Sequence, residues 1–537
     1  MPKSFDRTTL ILIALLMLAA IIARVLPGPR TIDDAFITFR YSRNLVEGQG
    51  FVYNYGVRTL GTTTPLFTLL LAGISLGTGQ QDFQWYAIAL SALADALNCA
   101  LLFLITRRAT GSQMLGIVLG ALWALAPRSV TFAIGGMETS PNILWMLAAV
   151  WCYLSAAENP PAAGIRGWLA DKIVWMGVFA GLGLWTRIDA ALWVAPLFAY
   201  HWWEHLRAAQ KHDGRSYLPL RAWLACLLTF APWLLFSTLY FGSPLPNSIN
   251  AKSLAYVMPS GAAFVELALR NYAFPFFEVQ LLPESWRTVG GLFFMTLYLL
   301  LALLGLLYSA RNAPRLLPFL LYPWLYLAAF SLANPLIFRW YTLPPLPALT
   351  LGLVCGLWSI IGAEKINRAA PIVASAFGVF WLAASLNVWT LHPDHGPDRP
   401  APQMAWHQIE LYYERIGRQL REDYGVTPQT RVASADIGAI GYFSRATIVD
   451  TVGLVTPELR RYYPNAPEWI VAGQNYAVPP QLILDTQPDY FVTMEAFVRL
   501  GLEQNATFTA SYMLLEEIPT NFYGTGMRLY GRRGEQP

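Results

Sequence analysis

Long uncharged stretches alternate with short polar segments over the first 390 or so residues of the chain. About 20 consecutive apolar residues are enough for a helix to cross the hydrocarbon core of a bilayer. Stretches of this kind lie near 8–26, 84–106, 113–131, 141–157, 222–241, 289–309, 315–333, 342–362 and 370–391. A further run, 173–203, is interrupted by Arg187 and Asp189, and it predicts two short helices that meet at this polar break. We therefore expect about eleven transmembrane helices.

Two regions depart from this pattern. Residues 64–76 are apolar but too short to span comfortably, which predicts a re-entrant or surface-lying helix. After residue 391 an amphipathic segment, 404–424, predicts a helix that stops at Gly425. Short β-rich runs separated by turn residues follow it, at 431–433, 447–449 and 490–492. The fold class expected is thus a polytopic α-helical membrane domain, 1–391, followed by a small α/β domain, 392–537.

The composition agrees with a membrane protein. Of the 537 residues, 55% are hydrophobic and 13% are charged, whereas soluble domains carry about 25% charged residues. The formal charge of +4, with no dense basic run, gives no reason to expect a nucleic-acid partner. The four cysteines fall inside apolar segments without paired spacing, which is typical of buried apolar side chains rather than of disulfides or a metal site.

The positions of Lys and Arg predict the orientation in the membrane. Cytoplasmic loops of membrane proteins are enriched in these residues. If the N-terminus is cytoplasmic and 64–76 does not cross, the basic loops at 107–108, 158–172, 204–221, 311–315 and 363–368 all fall inside. The first outer loop, 27–83, and the C-terminal domain then lie outside the cytoplasm.

An acidic pair, Asp33 and Asp34, follows the first apolar stretch and begins this outer loop. A carboxylate placed beside a hydroxyl can act as a general base, so both acids are candidate catalytic residues. The second acid could orient the first, bind a sugar hydroxyl or hold a divalent cation, although two carboxylates alone are too few ligands for an oxygen-ligated cation. No cofactor is required by the sequence. The alternative is that both acids are solvated loop residues.

Basic side chains in the predicted outer segments are candidates for binding a phosphate. Guanidinium groups suit this role because they donate two hydrogen bonds at once. The candidates are Arg40, Arg43, Lys252 and Arg339. Contact with lipid headgroups, or anchoring at the membrane interface, is the alternative for each.

Further polar residues fall on the same predicted face. Ionisable side chains close to membrane depth are costly there, so they usually face a cavity or one another. The candidate substrate-binding residues are Tyr41, Glu138, Arg187, Asp189, Asn247 and Tyr341. A purely structural Arg187–Asp189 pair is the alternative for two of them. The segment 436–441 contains two glycines after a predicted strand, and it predicts a turn that packs a helix on that strand rather than a nucleotide site.

These motifs are similar to those of a known superfamily. The segment from Asp33 to Asn54, together with Leu184–Asp189, Gly242–Asn247 and Arg339–Tyr341, resembles the GT-C membrane glycosyltransferases. Within that superfamily it most resembles the terminal arabinofuranosyltransferases of actinobacterial cell walls and their bacterial relatives. The chain departs from that group at 56–64, where an acid and a Tyr-Thr pair are expected, so the sugar and acceptor are left open.

The resemblance implies an enzyme of the bacterial cytoplasmic membrane. It implies inverting transfer of arabinofuranose, or another pentose or hexose, from a polyprenyl-phosphate donor. The acceptor would be a hydroxyl of a cell-envelope glycan, lipid or protein on the outer face. It also implies that an Asp of the first outer loop is the base, and analogy favours Asp33.

Two other functions compete with this one. A transporter or flippase for lipid-linked sugars would carry paired charges near the bilayer midplane and inverted repeats, and neither is visible in the sequence. A scaffold whose outer domain binds glycan without catalysis is the third interpretation.

Overall fold

The computed structural model describes residues 6–156, 164–211, 218–256, 259–268, 287–332, 339–361, short pieces between 372 and 383, and 407–534. The helices of the N-terminal part, in chain order, are α1 (Arg7–Val25), α2 (Asp33–Val46), α3 (Pro65–Thr78), α4 (Phe83–Thr110), α5 (Gln113–Leu125), α6 (Pro127–Ile134), α7 (Thr139–Leu154), α8 (Ile165–Ala170), α9 (Lys172–Thr186), α10 (Ala191–Lys211), α11 (Leu220–Phe241), α12 (Ser248–Ala255), α13 (Ser260–Ala268), α14 (Arg287–Asn312), α15 (Leu317–Leu332) and α16 (Leu346–Ile361).

Several of these helices have the length and apolarity of membrane spans. Among the described residues there are five: α1, α4, α11, most of α14, and α15 with the turn before it. Helices α5 and α6 together form a sixth candidate, bent by 45°. Shorter apolar helices include α3, α9 and α16. The total of eleven spans stays a prediction, since the run at 370–391 lies largely outside the described residues.

Two sequence predictions about local structure are confirmed. The apolar run after residue 64 forms α3, a helix of 14 residues that is too short to cross a bilayer unbent, while its re-entrant or surface-lying placement stays a prediction. The polar break in the 173–203 run separates α9 from α10 and forms a single 3-10 turn, Ile188–Ala190.

The acidic pair does not lie in a loop. Asp33 and Asp34 are the first two residues of α2, and the ten residues that follow them are all buried. The sequence pattern conceals this helix because its buried positions include two arginines and an asparagine. Both guanidinium groups and the Asn44 side-chain amide donate hydrogen bonds inside the protein, which offsets much of the cost of their burial.

A buried ion pair fixes the helix that leads to the acidic pair. Arg24, at the end of α1, donates from Nε to Asp95 of α4 over 2.9 Å, and both side chains are fully buried. The Asp95 carboxylate also accepts from Trp123 Nε1 at 2.9 Å and from Ser140 Oγ at 2.8 Å. A buried charge pair needs such additional bonds to offset its desolvation. The network therefore joins α1 to α4, α5 and α7.

The C-terminal domain is a mixed α/β unit. It comprises α17 (His407–Glu422), β1 (Arg431–Ser434), α18 (Gly438–Ser444), β2 (Thr447–Asp450), α19 (Pro480–Thr486), β3 (Tyr490–Met494), α20 (Ala506–Ser511), β4 (Tyr512–Pro519) and β5 (Gly526–Arg532). The strand order is β2-β1-β3-β5-β4, in which β1 runs parallel to both neighbours and the pairings β3–β5 and β5–β4 are antiparallel. The predicted helix and the three predicted strands are confirmed. The β4–β5 hairpin was not foreseen from the sequence.

Buried side chains of α2 and the loop after it hold the C-terminal domain. Arg40 donates to the carbonyl oxygens of Gly441 at 2.7 Å and Ala446 at 2.6 Å, and to that of Tyr53 at 2.9 Å. Arg43 donates to the carbonyl oxygen of Tyr442 at 2.7 Å. Because these carbonyl groups lose water on docking, each needs a protein donor.

Replacing Arg40 with Met should destabilise this interface strongly. Met fills similar space but donates no hydrogen bond, and each buried carbonyl left without a donor costs about 1–3 kcal/mol. A lower thermal unfolding midpoint of the purified protein in detergent would report the loss.

Arg445→Met is the matched control for this change. Arg445 pairs with Glu47 at 3.1 Å, but 39% of its side chain is exposed, so its removal should cost less than about 1 kcal/mol. Equal shifts for the two variants would contradict the proposed importance of the buried guanidinium.

Candidate active site

A polar cavity, open to solvent on one side, lies between α2, the loop after it, α12 and the turn before α16. Two acidic and two basic side chains line it, namely Asp34, Glu138, Lys252 and Arg187. All four were candidate site residues from the sequence, and the structure brings them together over more than 200 residues of chain. The formal charges of these four side chains cancel.

One ion pair in the cavity joins α2 to α12. Lys252 Nζ lies 3.2 Å from Asp34 Oδ2, and neither side chain is fully enclosed, with exposed fractions of 17% and 27%. Burial alone would lower the pKa of Lys252, but the carboxylate of Asp34 and the neighbouring Tyr341 more than offset this, so the pKa is raised above its usual value. Lys252 is therefore cationic at neutral pH.

A second ion pair lies in the same cavity. Arg187 Nη1 is 2.6 Å from Glu138 Oε1, and Arg187 Nη2 is 2.8 Å from Asp189 Oδ2. The Arg187 guanidinium also lies 5.6 Å from the centre of the Tyr341 ring, while Lys252 Nζ lies 5.9 Å from it. Tyr341 thus lies within reach of both cations.

Threonine hydroxyls form another wall of the cavity. Thr38, Thr62, Thr63 and Thr64 all line it. The Oγ1 atom of Thr64 is 2.9 Å from that of Thr38 and 3.1 Å from that of Thr62. Hydroxyl groups both donate and accept hydrogen bonds, which suits a polyhydroxylated ligand.

Asp33 faces the C-terminal domain. Its carboxylate accepts hydrogen bonds from the backbone N–H groups of Gly438 at 2.8 Å and Ala439 at 2.7 Å. Burial, and next the nearby Asp436, raise the pKa of Asp33 well above its usual range, and the two N–H groups offset this only in part. The two acids of the pair therefore occupy different environments, with Asp34 toward the cavity and Asp33 toward the domain interface.

Arg40 and Arg43 do not line the cavity. Their guanidinium groups are bound to carbonyl oxygens of the C-terminal domain, as described above, so the expectation that they bind a donor phosphate is corrected. Sequence position alone could not separate the two roles, because a guanidinium donates to carbonyl oxygens as well as to phosphate oxygens. The side chain of Arg339 lies outside the described residues.

Tyr41 and Asn247 also have structural partners. The Tyr41 hydroxyl donates to the carbonyl oxygen of Thr59 at 2.5 Å and accepts from Gly61 N–H at 2.9 Å, which shapes the loop that leads to the threonines. The Asn247 side-chain amide donates to the carbonyl oxygens of Gly453 at 2.7 Å and Leu454 at 2.8 Å. Both side chains therefore shape the surroundings of the cavity but do not line it.

Some residues of the site were not foreseen. Ser248, Trp340 and Leu454 line the cavity, and Leu454 belongs to the C-terminal domain. No sequence pattern marks Ser248 or Leu454, whereas Trp340 lies between two candidate residues in the Arg339–Tyr341 motif. Among the described residues, no group of three or more His, Cys, Asp or Glu side chains is arranged to hold a metal ion.

Two segments of the chain match known sequence families. Residues 52–236 match the family model of dolichyl-phosphate-mannose-protein mannosyltransferases, and residues 402–532 match a domain family of unknown function. Over 130 residues the chain is 31% identical to the terminal β-(1→2)-arabinofuranosyltransferase of Mycobacterium tuberculosis. This alignment covers 22% of the chain and 21% of the mycobacterial protein, so the chain matches about a fifth of the length of that curated relative.

Solved structures match nearly the whole chain. The archaeal oligosaccharyltransferase AglB of Archaeoglobus fulgidus, in complex with an inhibitory peptide and a dolichol-phosphate, aligns over 99% of this chain and 75% of its own, with a TM-score of 0.55 and 13% identity. ArnT from Cupriavidus metallidurans, bound to undecaprenyl phosphate, aligns over 97% of both chains, with a TM-score of 0.54 and 13% identity. The chain has the GT-C fold.

The GT-C fold confirms the expected class, a helical membrane protein with a small C-terminal α/β domain. The mannosyltransferase family model and the arabinofuranosyltransferase relative both support a glycosyltransferase, and neither supports the transporter alternative. The mannosyltransferase match begins after the acidic pair, so it carries no information about the two acids.

Asp436→Asn should flatten the dependence of stability on pH. Burial raises the pKa of Asp436 from 3.8 to about 6. Between these values the folded protein binds a proton at Asp436 that the unfolded chain lacks. The contribution to stability is therefore fully present below about pH 4 and is lost as the pH rises to about 6.

The thermal unfolding midpoint measured at a series of pH values tests this sign. From about pH 4 to 6, the wild-type midpoint should fall relative to that of the Asn variant. The variant is a fair comparison because its amide oxygen can still accept the hydrogen bond that Tyr413 donates to Asp436 over 3.0 Å. If the difference between the two midpoints is constant with pH, or changes in the opposite direction, the pKa of Asp436 is not raised in the folded protein.

Proposed function

We propose that the protein is a GT-C glycosyltransferase that moves a sugar from a polyprenyl-phosphate donor to a hydroxyl acceptor in the Asp34–Lys252 cavity. The observation that carries this proposal is the pair itself: an accessible carboxylate and an accessible cation lie 3.2 Å apart in a polar cavity. Transfer to a hydroxyl needs one group of each kind, a base for the acceptor proton and a positive charge for the departing phosphate.

The proposed reaction is a single displacement. The Asp34 carboxylate takes the proton of the acceptor hydroxyl, and the acceptor oxygen forms a bond to the anomeric carbon. The bond from that carbon to the phosphate oxygen breaks, and its electron pair stays on the polyprenyl phosphate. Lys252 stabilises the negative charge that develops there. Attack from the face opposite the leaving group inverts the anomeric configuration.

The balanced charges of the cavity suggest how the donor prepares the base. Without substrate, Lys252 is bound to Asp34. A phosphate in the cavity competes with the Asp34 carboxylate for the same ammonium group. As Lys252 turns toward the phosphate, the carboxylate becomes free to accept a proton. Arg187, held by Glu138 and Asp189, supplies a second positive charge at a fixed position.

Asp34 is a better candidate for the base than Asp33. Both oxygens of Asp33 already accept backbone N–H bonds, and Asp33 does not line the cavity. Asp34 lines the cavity and is partly exposed. The sequence resemblance favoured Asp33, and the geometry supports the opposite assignment.

The proposal extends to partners and location. The donor is a polyprenyl-phosphate-linked sugar drawn from the membrane, and arabinofuranose is one candidate because of the mycobacterial relative. The acceptor is a hydroxyl of a cell-envelope glycan, lipid or protein. The proposed location is the bacterial cytoplasmic membrane, and the charges of the loops support an N-terminus inside and this cavity outside. No step of the proposed reaction requires a cofactor or a divalent cation.

Asp34→Asn should strongly reduce the rate of sugar transfer. Loss of a general base typically costs 10²–10⁴-fold in rate. The measurement is the formation of free polyprenyl phosphate from polyprenyl-phosphate sugars by the purified protein in lipid nanodiscs, with a cell-envelope extract supplying the hydroxyl acceptor. Asp82→Asn is the control, since Asp82 is an exposed acid of the same outer segment and does not line the cavity. Full activity of the Asp34 variant would exclude this reaction as proposed.

Lys252→Met should reduce kcat by about 10²–10³-fold, the usual cost of removing a group that stabilises charge in the transition state. Lys252→Arg, which keeps the charge, should retain more activity. Lys172→Met, at an exposed position of α9, is the control for the loss of a lysine. Equal loss in the Met and Arg variants would show that the positive charge is not what Lys252 contributes.

A further inference from the structure

Helix α2 begins without a cap of its own. The first backbone N–H groups of a helix have no partner within the helix and need an acceptor from elsewhere. The residue before α2 is Ile32, whose side chain accepts no hydrogen bond. The N–H of Asp33 instead donates to Glu410 Oε1 of α17 at 2.9 Å. A side chain of the C-terminal domain, 377 residues away in the chain, thus caps the helix that carries the acidic pair.

Helix α18 also lacks a capping side chain of its own, and here the membrane domain supplies the cap. The residue before it is Ile437, which likewise supplies no capping side chain. The N–H groups of Gly438 and Ala439 donate to the two carboxylate oxygens of Asp33. The membrane domain and the C-terminal domain therefore cap each other's helices, with Glu410 serving α2 and Asp33 serving α18.

The contact between these helices is a backbone contact. A Cβ atom added to Gly438 would lie 1.8 Å from the carbonyl oxygen of Asp33, so no larger residue fits without moving α2. Successive residues of a helix are separated by about 100° around its axis. With Asp33 held against α18, the next side chain, Asp34, is directed elsewhere, and it lies in the cavity.

We propose that the C-terminal domain is a working part of the transfer site and that Glu410 and Asp33 are positioning residues. They fix the first turn of α2, and thereby the direction of the Asp34 carboxylate. This role rests on the proposed function of Asp34. It assigns a function to the segment 402–532, which matches a domain family of unknown function.

Substitutions at Glu410 test the cap. Glu410→Ala removes the acceptor of the Asp33 N–H, and we expect kcat to fall about tenfold while the donor KM changes little, because Lys252 and Arg187 are untouched. Glu410→Gln keeps an oxygen in place and should restore most of the rate. Glu410→Asp shortens the side chain by one methylene, and its kcat should lie between those of the Ala and Gln variants.

Glu414→Ala is the matched control, because Glu414 lies on the same helix one turn later and pairs with Arg418 in a partly exposed salt bridge. Monodisperse elution in detergent identifies the variants that are folded. If Glu410→Ala does not fold, the comparison of Glu410→Asp with Glu410→Gln carries the test, since both keep a polar side chain.

The outcomes separate this inference from the proposed function. Wild-type kcat in folded Glu410→Ala and Glu410→Asp, with Asp34→Asn inactive, overturns the positioning role and leaves the proposed function intact. A loss in Glu410→Gln equal to that in Glu410→Ala also overturns it. Activity retained in Asp34→Asn but abolished in Asp33→Asn would make Asp33 the base and would overturn both.

Discussion

The backbone of α18 packs directly on the first turn of α2, and the position of the acidic pair depends on that contact. Two helix ends that lack caps meet there, and each is satisfied by a carboxylate of the other domain. An unpaired N–H group in such a place would cost about as much as a lost hydrogen bond, so the arrangement favours one relative position of the two elements. Arg40 and Asn247 reinforce it by donating to other carbonyl groups of the same domain.

This arrangement gives the two neighbouring acids different chemical environments. Asp33 is enclosed, and its proton affinity is raised by burial and by Asp436. Asp34 reaches the cavity and is paired with Lys252. A base must be accessible to the acceptor and must also be held in a fixed direction. In the proposed reaction these requirements are divided between the two residues, which would account for a pair of acids where one base suffices chemically.

The fold class could be predicted from the sequence because long apolar runs and alternating short strands are local signals. The helix at 407–422 and the strands β1, β2 and β3 follow from such signals. Helix α2 could not be recognised, because its burial depends on a domain that begins more than 350 residues later. The β4–β5 hairpin was missed because Glu516, Glu517 and Arg528 interrupt its apolar alternation.

The candidate site was predictable in part for a similar reason. Charged residues next to apolar runs are conspicuous, and so Asp34, Glu138, Arg187 and Lys252 could be selected from the sequence. The partners of charged residues could not be predicted, since an arginine that binds a carbonyl oxygen and one that binds a phosphate look alike in a sequence. Arg40 and Arg43 illustrate this ambiguity, which only the three-dimensional contacts resolve.

The most direct test of the account is an experimental structure of the protein with a non-transferable polyprenyl-phosphate sugar analogue in a lipid nanodisc. The account predicts that the phosphate lies within hydrogen-bonding distance of Lys252 Nζ, that Asp34 no longer contacts Lys252, and that the Asp34 carboxylate faces the anomeric carbon. A phosphate bound outside this cavity, with the Asp34–Lys252 pair unchanged, would contradict it.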